Sequence, residues 1–192
     1  MPPPSISLVT EAHKTISKTI RPGEIAIDAS CGNGYDTVFL AKKVGKTGKI
    51  YGFDIQQQAL EKTKQKLEEQ QLFSHVDLVH AGHEKMVEFI PIEHHQKISA
   101  IMFNLGYLPG GDKSIITQTE TTLKALETAC LLLKKSGIIT VIAYPGHIGG
   151  LTELKALQHQ ISALDNLLFH YKVKQIDKND LSKPQLFIIS KL

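Results

Sequence analysis

The stretch that decides the fold is Ile25-Ala26-Ile27-Asp28-Ala29-Ser30-Cys31-Gly32-Asn33-Gly34, answered later by Ile50-Tyr51-Gly52-Phe53-Asp54. An apolar run ends in a carboxylate and enters a Gly-rich turn. About 20 residues further on, at the spacing of a ribose-binding acid, a second apolar run ends in another acid. Between them, Tyr35 to Val44 places Val38, Leu40 and Ala41 where a helix packs on a sheet, and Gly45 ends that helix. Strand, tight turn, helix and strand make a nucleotide-binding βαβ unit. The glycines let the backbone turn sharply and approach a ligand. Asp54 is placed to accept hydrogen bonds from a ribose diol.

Two kinds of nucleotide site use such a unit. Dinucleotide dehydrogenases require G-x-G-x-x-G and seat a pyrophosphate on the helix N-terminus. Here Thr37 stands at the third glycine position. Asp28, just before the glycines, would repel a pyrophosphate but suits a ligand with cationic groups. S-adenosylmethionine carries a sulfonium and an ammonium. The pattern D-x-x-x-G-x-G therefore reads as the first motif of a class I methyltransferase.

The rest of the chain bounds this reading. Its 192 residues are expected to form a single domain, residues 1–192. The apolar fraction of 42% and charged fraction of 21% are ordinary for a globular protein. No apolar run has membrane-spanning length, and Met1-Pro2-Pro3-Pro4-Ser5 does not resemble a signal peptide. Two cysteines, Cys31 in the turn and Cys130 on a helix face read as buried, give no disulfide framework. A cytoplasmic location is expected. A net charge of +3 excludes coating nucleic acid by bulk electrostatics. It leaves room for a local basic face, for which Lys172, Lys174, Lys178 and Lys183 are candidates, although solvated surface lysines are the simpler reading of each.

Periodicity predicts a helix from about Ile6 to Ile20, strands at Ile25 to Asp28 and Lys49 to Asp54, a helix at Gln56 to Gln70 and a strand at Val76 to His80. A short helix near Glu84 to Phe89, a strand at Ile98 to Asn104 and a loop at Leu105 to Asp112 follow. A long helix is expected from about Ile116 to Lys134, then a strand at Gly137 to Ala143, a helix at Leu151 to Leu164, and two final strands, His170 to Ile176 and Leu186 to Ser190. The alternation implies a Rossmann-like α/β fold: a mostly parallel seven-stranded sheet, helices on both faces and an antiparallel C-terminal hairpin. Ligands collect outside the carboxyl ends of such strands, here Asp28, Asp54, His80, Asn104 and Tyr144.

Several residues at those ends suit a chemistry. Asn104 begins Asn104-Leu105-Gly106-Tyr107, where amino-group methyltransferases often carry N/D-P-P-Y/F. An amide oxygen there can accept from a substrate amine and aim its lone pair at the methyl carbon, which must lie about 3 Å away and in line with the leaving sulfur. A buried Asn capping a strand end is the plain alternative. Asp54 could instead start the next helix, and Asp36 and Thr37 could merely cap theirs. His80-Ala81-Gly82-His83-Glu84 borders the expected adenine position. Its H-x-x-H spacing lacks further ligands, so no metal is expected. His147 in Tyr144-Pro145-Gly146-His147 could take the proton an amine must lose, or simply open a loop. Gly110-Gly111-Asp112-Lys113 with Thr117, Thr119, Thr121 and Thr122 suits phosphate or sugar contacts. Capping of the long helix by Ser114 or Thr117 is the alternative.

Taken together, Asp28 to Thr37, Gly82-His83-Glu84, Phe103-Asn104-Leu105-Gly106-Tyr107-Leu108-Pro109, Asp112-Lys113-Ser114, Thr121-Thr122 and Tyr144-Pro145-Gly146-His147 closely resemble a small bacterial methyltransferase family. That family was long labelled as rRNA methylases and is now associated with tRNA 5-(aminomethyl)-2-thiouridine methyltransferase activity. The resemblance runs over nearly the whole chain. It departs at Ser30, where Thr is common, at Pro145, and in Asn179-Asp180-Leu181-Ser182-Lys183-Pro184-Gln185. It implies S-adenosylmethionine-dependent N-methylation of the aminomethyl group at the tRNA wobble position, with the tRNA anticodon stem-loop as partner.

The cofactor site expected is Asp28, Ser30, Cys31, Gly32, Asn33, Gly34, Asp36, Thr37, Asp54, Ile55, Gln56, Gly82, His83, Glu84 and Asn104. The catalytic residues expected are Asn104, Tyr107 and His147. Leu105, Gly106, Tyr107, Asp112, Lys113, Thr121, Tyr144 and His147 are expected to contact substrate. Alternatives are an rRNA base or small-molecule methyltransferase, a nicotinamide-dependent oxidoreductase, disfavoured by Asp28 and Thr37, and a non-enzymatic RNA-binding module. The last is disfavoured by an intact cofactor motif and the lack of an aromatic stacking run.

Overall fold

The computed structural model describes residues 7–106, 116–177, 180 and 182–192. Tyr107, Asp112, Lys113, Ser114 and Lys178 lie outside the described residues. In chain order the elements are α1 (Leu8–Thr19), β1 (Ile25–Asp28), α2 (Tyr35–Val44), β2 (Lys49–Asp54), α3 (Gln57–Glu69), β3 (Val76–His80), α4 (Met86–Phe89), β4 (Ile98–Asn104), α5 (Thr119–Leu132), β5 (Leu133–Ala143), α6 (Gly150–Ser162), β6 (Phe169–Gln175) and β7 (Gln185–Lys191). One seven-stranded sheet has the order β3-β2-β1-β4-β5-β7-β6. Its pairs are parallel from β3 through β5, and β7 pairs antiparallel with both β5 and β6.

The strands read as unbroken apolar runs because helices cover both faces. On one side Ala26, Ile50, Ala100, Met102, Ile138 and Leu186 meet α1, α2 and α3 through Ala12, Ile16, Leu40, Ala41 and Leu67. On the other, Ile27, Phe53, Ile101, Phe103, Val141 and Phe187 meet α4, α5 and α6 through Met86, Ala129, Leu154 and Leu157. Neighbouring residues in a strand thus serve opposite cores. β6 differs: His170 to Lys174 are all exposed, and the edge carries Lys172 and Lys174, which discourage edge-to-edge pairing. Among the described residues no helix is long and apolar enough to cross a membrane.

Two boundaries shift from expectation. α5 begins at Thr119, because Gln118 is extended and the Thr117 N–H donates to the Gly106 carbonyl. Its N-cap, Gln118, makes no side-chain capping bond, so Thr117 does not cap this helix. α5 ends at Leu132 and β5 starts directly at Leu133, paired with Ile98. The Lys191 ammonium donates to the carbonyls of Cys130 and Leu133 at 3.1 and 2.8 Å, satisfying groups that a helix end leaves open.

Candidate active site

The Gly-rich turn links the ends of β1 and β2. The Cys31 N–H donates to the Phe53 carbonyl at 3.0 Å, and the Gly34 N–H donates to the Cys31 carbonyl at 2.8 Å. Gly34 has φ +80°, and a Cβ there would stand 2.8 Å from Thr63 Oγ1 and 2.9 Å from its Cα. Close approach of α3, as well as the left-handed turn, requires this glycine. Cys31 is buried against Gly52, where a Cβ would lie 2.7 Å from its sulfur. Burial, followed by the nearby Asp28 charge, raises the Cys31 thiol well above its ordinary range.

Three carboxylates gather around this turn. Asp54 Oδ2 accepts from the Gly32 N–H, and Oδ1 from the Gln56 N–H, both at 2.8 Å. It therefore braces the turn and leads into α3, which has no side-chain cap of its own. Asp28 is wholly buried. It accepts from the Ser30 N–H at 3.1 Å and from the Thr37 hydroxyl at 2.6 Å. Burial, and then repulsion from Asp36, raise its carboxyl above the usual range. Thr37, the residue that breaks the dinucleotide fingerprint, is thus the hydroxyl that holds Asp28.

Asp36, also buried, accepts from His13 Nε2 at 2.6 Å and from Asn104 Nδ2 at 3.4 Å. Capping of α2 does not account for Asp36 or Thr37: its N-cap is Gly34 and makes no side-chain bond. Among the described residues no lysine or arginine pairs with Asp28, Asp36 or Asp54. Carboxylates that no described lysine or arginine pairs with fit a ligand bearing a sulfonium and an ammonium.

Asn104 closes β4 opposite the turn, and its backbone N–H donates to Ser30 Oγ at 2.7 Å. Leu105 is buried in the core, and Gly106 faces the ring of Tyr144. Burial, then the Asp36 charge, raise the Tyr144 phenol and keep it neutral. His147 Nδ1 lies 3.0 Å from the Ile148 carbonyl. That nitrogen must donate, which leaves Nε2 as the acceptor of a neutral ring. Nε2 is buried and has no hydrogen-bond partner among the described residues. The Thr121 hydroxyl turns back to the Gln118 carbonyl of its own helix start.

His83 lies beneath the site. It is buried, contacts the Ala29 carbonyl through Nδ1 at 3.2 Å and packs edge-on to Phe103. Burial lowers its pKa and keeps it neutral. Glu84 folds back over Gly82, its carboxylate lying where a Cβ on that glycine would stand. His80 is bonded to the Ile55 carbonyl and does not join His83. Among the described residues no three His, Cys, Asp or Glu side chains form a metal cluster. Ile55 is more than half exposed beside the turn. Of the C-terminal lysines, Lys174 pairs with Glu11 on α1 and Lys183 with Asp180, so neither is an uncommitted charge.

The motif reading missed two residues. His13 on α1 reaches Asp36. Glu153 on α6 is buried and accepts from Thr117 and Thr122 at 2.9 and 2.6 Å. Glu153 had a signal: it sits at helical spacing among Gly150, Leu154, Leu157 and Ile161, on the apolar face. His13 had none, since its partner lies on another helix.

The sheet order and the acid–glycine turn define the fold of class I methyltransferases. A family described as "Putative rRNA methylase" matches residues 50–190, and the chain belongs to it. It is 41% identical over 155 residues to the chloroplastic tRNA (mnm(5)s(2)U34)-methyltransferase of Arabidopsis thaliana, covering 77% of this chain and 56% of the relative. The chain thus spans about half the length of that relative, and less of the quinone methyltransferases it also matches. A crystal structure of an rRNA-methylase from Clostridium thermocellum superposes with a TM-score of 0.92 at 37% identity, covering 97% of this chain and 98% of that one. A Streptococcus mutans methyltransferase in complex with SAH gives 0.86 at 34% identity, covering 97% and 99%.

Proposed function

We propose that this protein transfers a methyl group from S-adenosylmethionine to the aminomethyl nitrogen of 5-aminomethyl-(2-thio)uridine at the wobble position of a tRNA anticodon stem-loop. The observation that carries this reading is the 41% identity to a tRNA (mnm(5)s(2)U34)-methyltransferase. In it, the turn from Ser30 to Gly34 holds the cofactor, Asp54 faces the ribose, and Asp28 and Asp36 supply the negative field for the cationic end. When bound, the cofactor supplies an electrophilic methyl on a sulfonium.

Asn104 accepts from the substrate N–H through its side-chain oxygen and aims the nitrogen lone pair at the methyl carbon. The substrate amine is largely protonated at neutral pH and must lose a proton before it can attack. His147 is the proposed acceptor, through Nε2, because Nδ1 is committed to the Ile148 carbonyl. Tyr107 is proposed to pack on the uracil ring.

The chemistry of the cysteines supports nitrogen rather than ring carbon as the nucleophile. Methylation at uracil carbon 5 needs covalent activation by a thiolate. Cys31 and Cys130, the two cysteines of the chain, are both buried. Burial raises the first thiol well above its ordinary value and the second to about 11. The test uses anticodon stem-loop RNA with either an aminomethyl or an unmodified wobble uridine, with nucleoside mass spectrometry as readout. A gain of one methyl on the aminomethyl form alone is expected. Equal methylation of unmodified uridine would replace this reading with a base-directed RNA methyltransferase.

A further inference from the structure

We propose that His13, on α1, is a positioning residue that sets the orientation of the Asn104 amide through Asp36. The inference rests on the reading of Asn104 as the group that orients the substrate amine. His13 is held twice. Its ring stacks on Phe39 with centroids 3.8 Å apart and planes 1° apart. Its Nε2 lies 2.6 Å from Asp36 Oδ1. An ionised carboxylate only accepts, so Nε2 carries the proton and donates.

The other Asp36 oxygen accepts from Asn104 Nδ2 across a longer 3.4 Å contact. The two bonds engage both oxygens of a buried carboxylate, whose position is thereby set. The two ends of an Asn amide have nearly the same shape, so its hydrogen-bonding neighbours decide which end points where. The reversed amide would set Oδ1 against a carboxylate oxygen, acceptor against acceptor. Asp36 therefore selects the orientation with Nδ2 toward α2, leaving Oδ1 to accept from an amine N–H. The Asn104 backbone is anchored separately, on Ser30 Oγ. Losing His13 would release the amide without moving the strand end. α1, which lies outside the βαβ unit, thus contributes to methyl transfer rather than to packing alone.

The test measures single-turnover methylation of aminomethyl-uridine stem-loop RNA and, separately, SAH affinity by calorimetry. His13→Ala is expected to lower the rate by roughly tenfold or more, with SAH affinity within about twofold of the parent. His13→Gln, whose amide nitrogen can donate from nearly the same place, should recover most of the rate. Asp36→Asn should fall at least as far as His13→Ala, because its own amide can donate to Asn104 Oδ1 and turn it round. His13→Leu keeps bulk against Phe39 without a donor and replaces the Ala variant if that one does not fold. A parent-like rate in the Ala or Leu variant overturns the proposal. So does equal loss in the Gln and Ala variants, which marks a packing role, or a loss confined to SAH affinity. A wild-type protein that leaves aminomethyl RNA unmethylated overturns the functional reading first and this inference with it.

Discussion

The carboxyl ends of β1 and β2 lie beside those of β4 and β5 along one edge of the sheet, and the two halves of the site are built differently. On the first side, carboxylates hold mainly backbone, Asp28 taking the Thr37 hydroxyl as well. Asp28 takes the N–H of Ser30, two residues away, and Asp54 takes those of Gly32 and Gln56. On the second side, side chains hold side chains across long separations. Asn104 reaches Asp36, and Glu153 gathers Thr117 and Thr122. In the proposed reading, the half built around the Gly-rich turn holds the cofactor. The half assembled from distant elements faces the substrate in that reading, and Asn104 joins the two through Ser30 and Asp36.

The largest expected effect breaks the second half alone. Asn104→Ala should lower the single-turnover methylation rate by about 100-fold while SAH affinity stays near the parent value. A variant that transfers methyl at the parent rate would remove Asn104 from the chemistry. Next, Glu153→Ala leaves the buried Thr122 hydroxyl and the part-buried Thr117 hydroxyl without their acceptor, at about 1–3 kcal/mol. For a chain of this size that is a fall in thermal midpoint of roughly 2–10 °C, measurable by calorimetry. An unchanged midpoint would mean that Glu153 does not organise this side.

The first half should respond in affinity instead. Asp54→Ala loses charge-assisted bonds worth about 1.5–3 kcal/mol. SAH binding is expected to weaken by roughly tenfold or more in a protein whose circular dichroism is unchanged. Unchanged affinity would assign Asp54 to bracing alone.

Asp28 gives a pH signature. Burial and Asp36 raise its folded-state pKa above the unfolded value. Between the two values the folded protein binds more protons than the unfolded chain, so stability falls as pH rises through that window. Asp28→Asn lacks this dependence. The urea midpoint of the variant relative to the parent should therefore climb from about pH 4 towards neutrality and then level off. A constant difference would show that the buried carboxyl carries no such penalty. The smallest effect is expected at the far edge. Lys174→Ala removes an exposed pair with Glu11, and exposed pairs contribute little. Its thermal midpoint and methylation rate should match the parent within error, whereas a marked loss of methylation alone would bring β6 into the RNA interface.

These halves were not equally legible. The limits of β1, α2, β2, β3 and β4 agree with the periodicity reading because the strands are mainly apolar runs closed by Asp, His or Asn, and α2 has helical spacing closed by Gly45. The start of β5 was misplaced. The strand expected from Gly137 begins at Leu133, and Ser136 with φ +61° lies within it. Tertiary pairing with β4 outweighed local propensity there.

Within the site, the sequence by itself determined the acid–glycine turn, Asp54 and Asn104, because a strand's carboxyl end and a turn's glycines are local features. Only the tertiary structure decided that Thr37 serves Asp28, that Gly34 makes room for Thr63, and that His13 and Glu153 belong to the site. The Thr37–Asp28 bond depends on how α2 leaves β1; the others depend on which helix lies against which, and side chains 23 to 36 residues apart meet only after the sheet has brought those elements together.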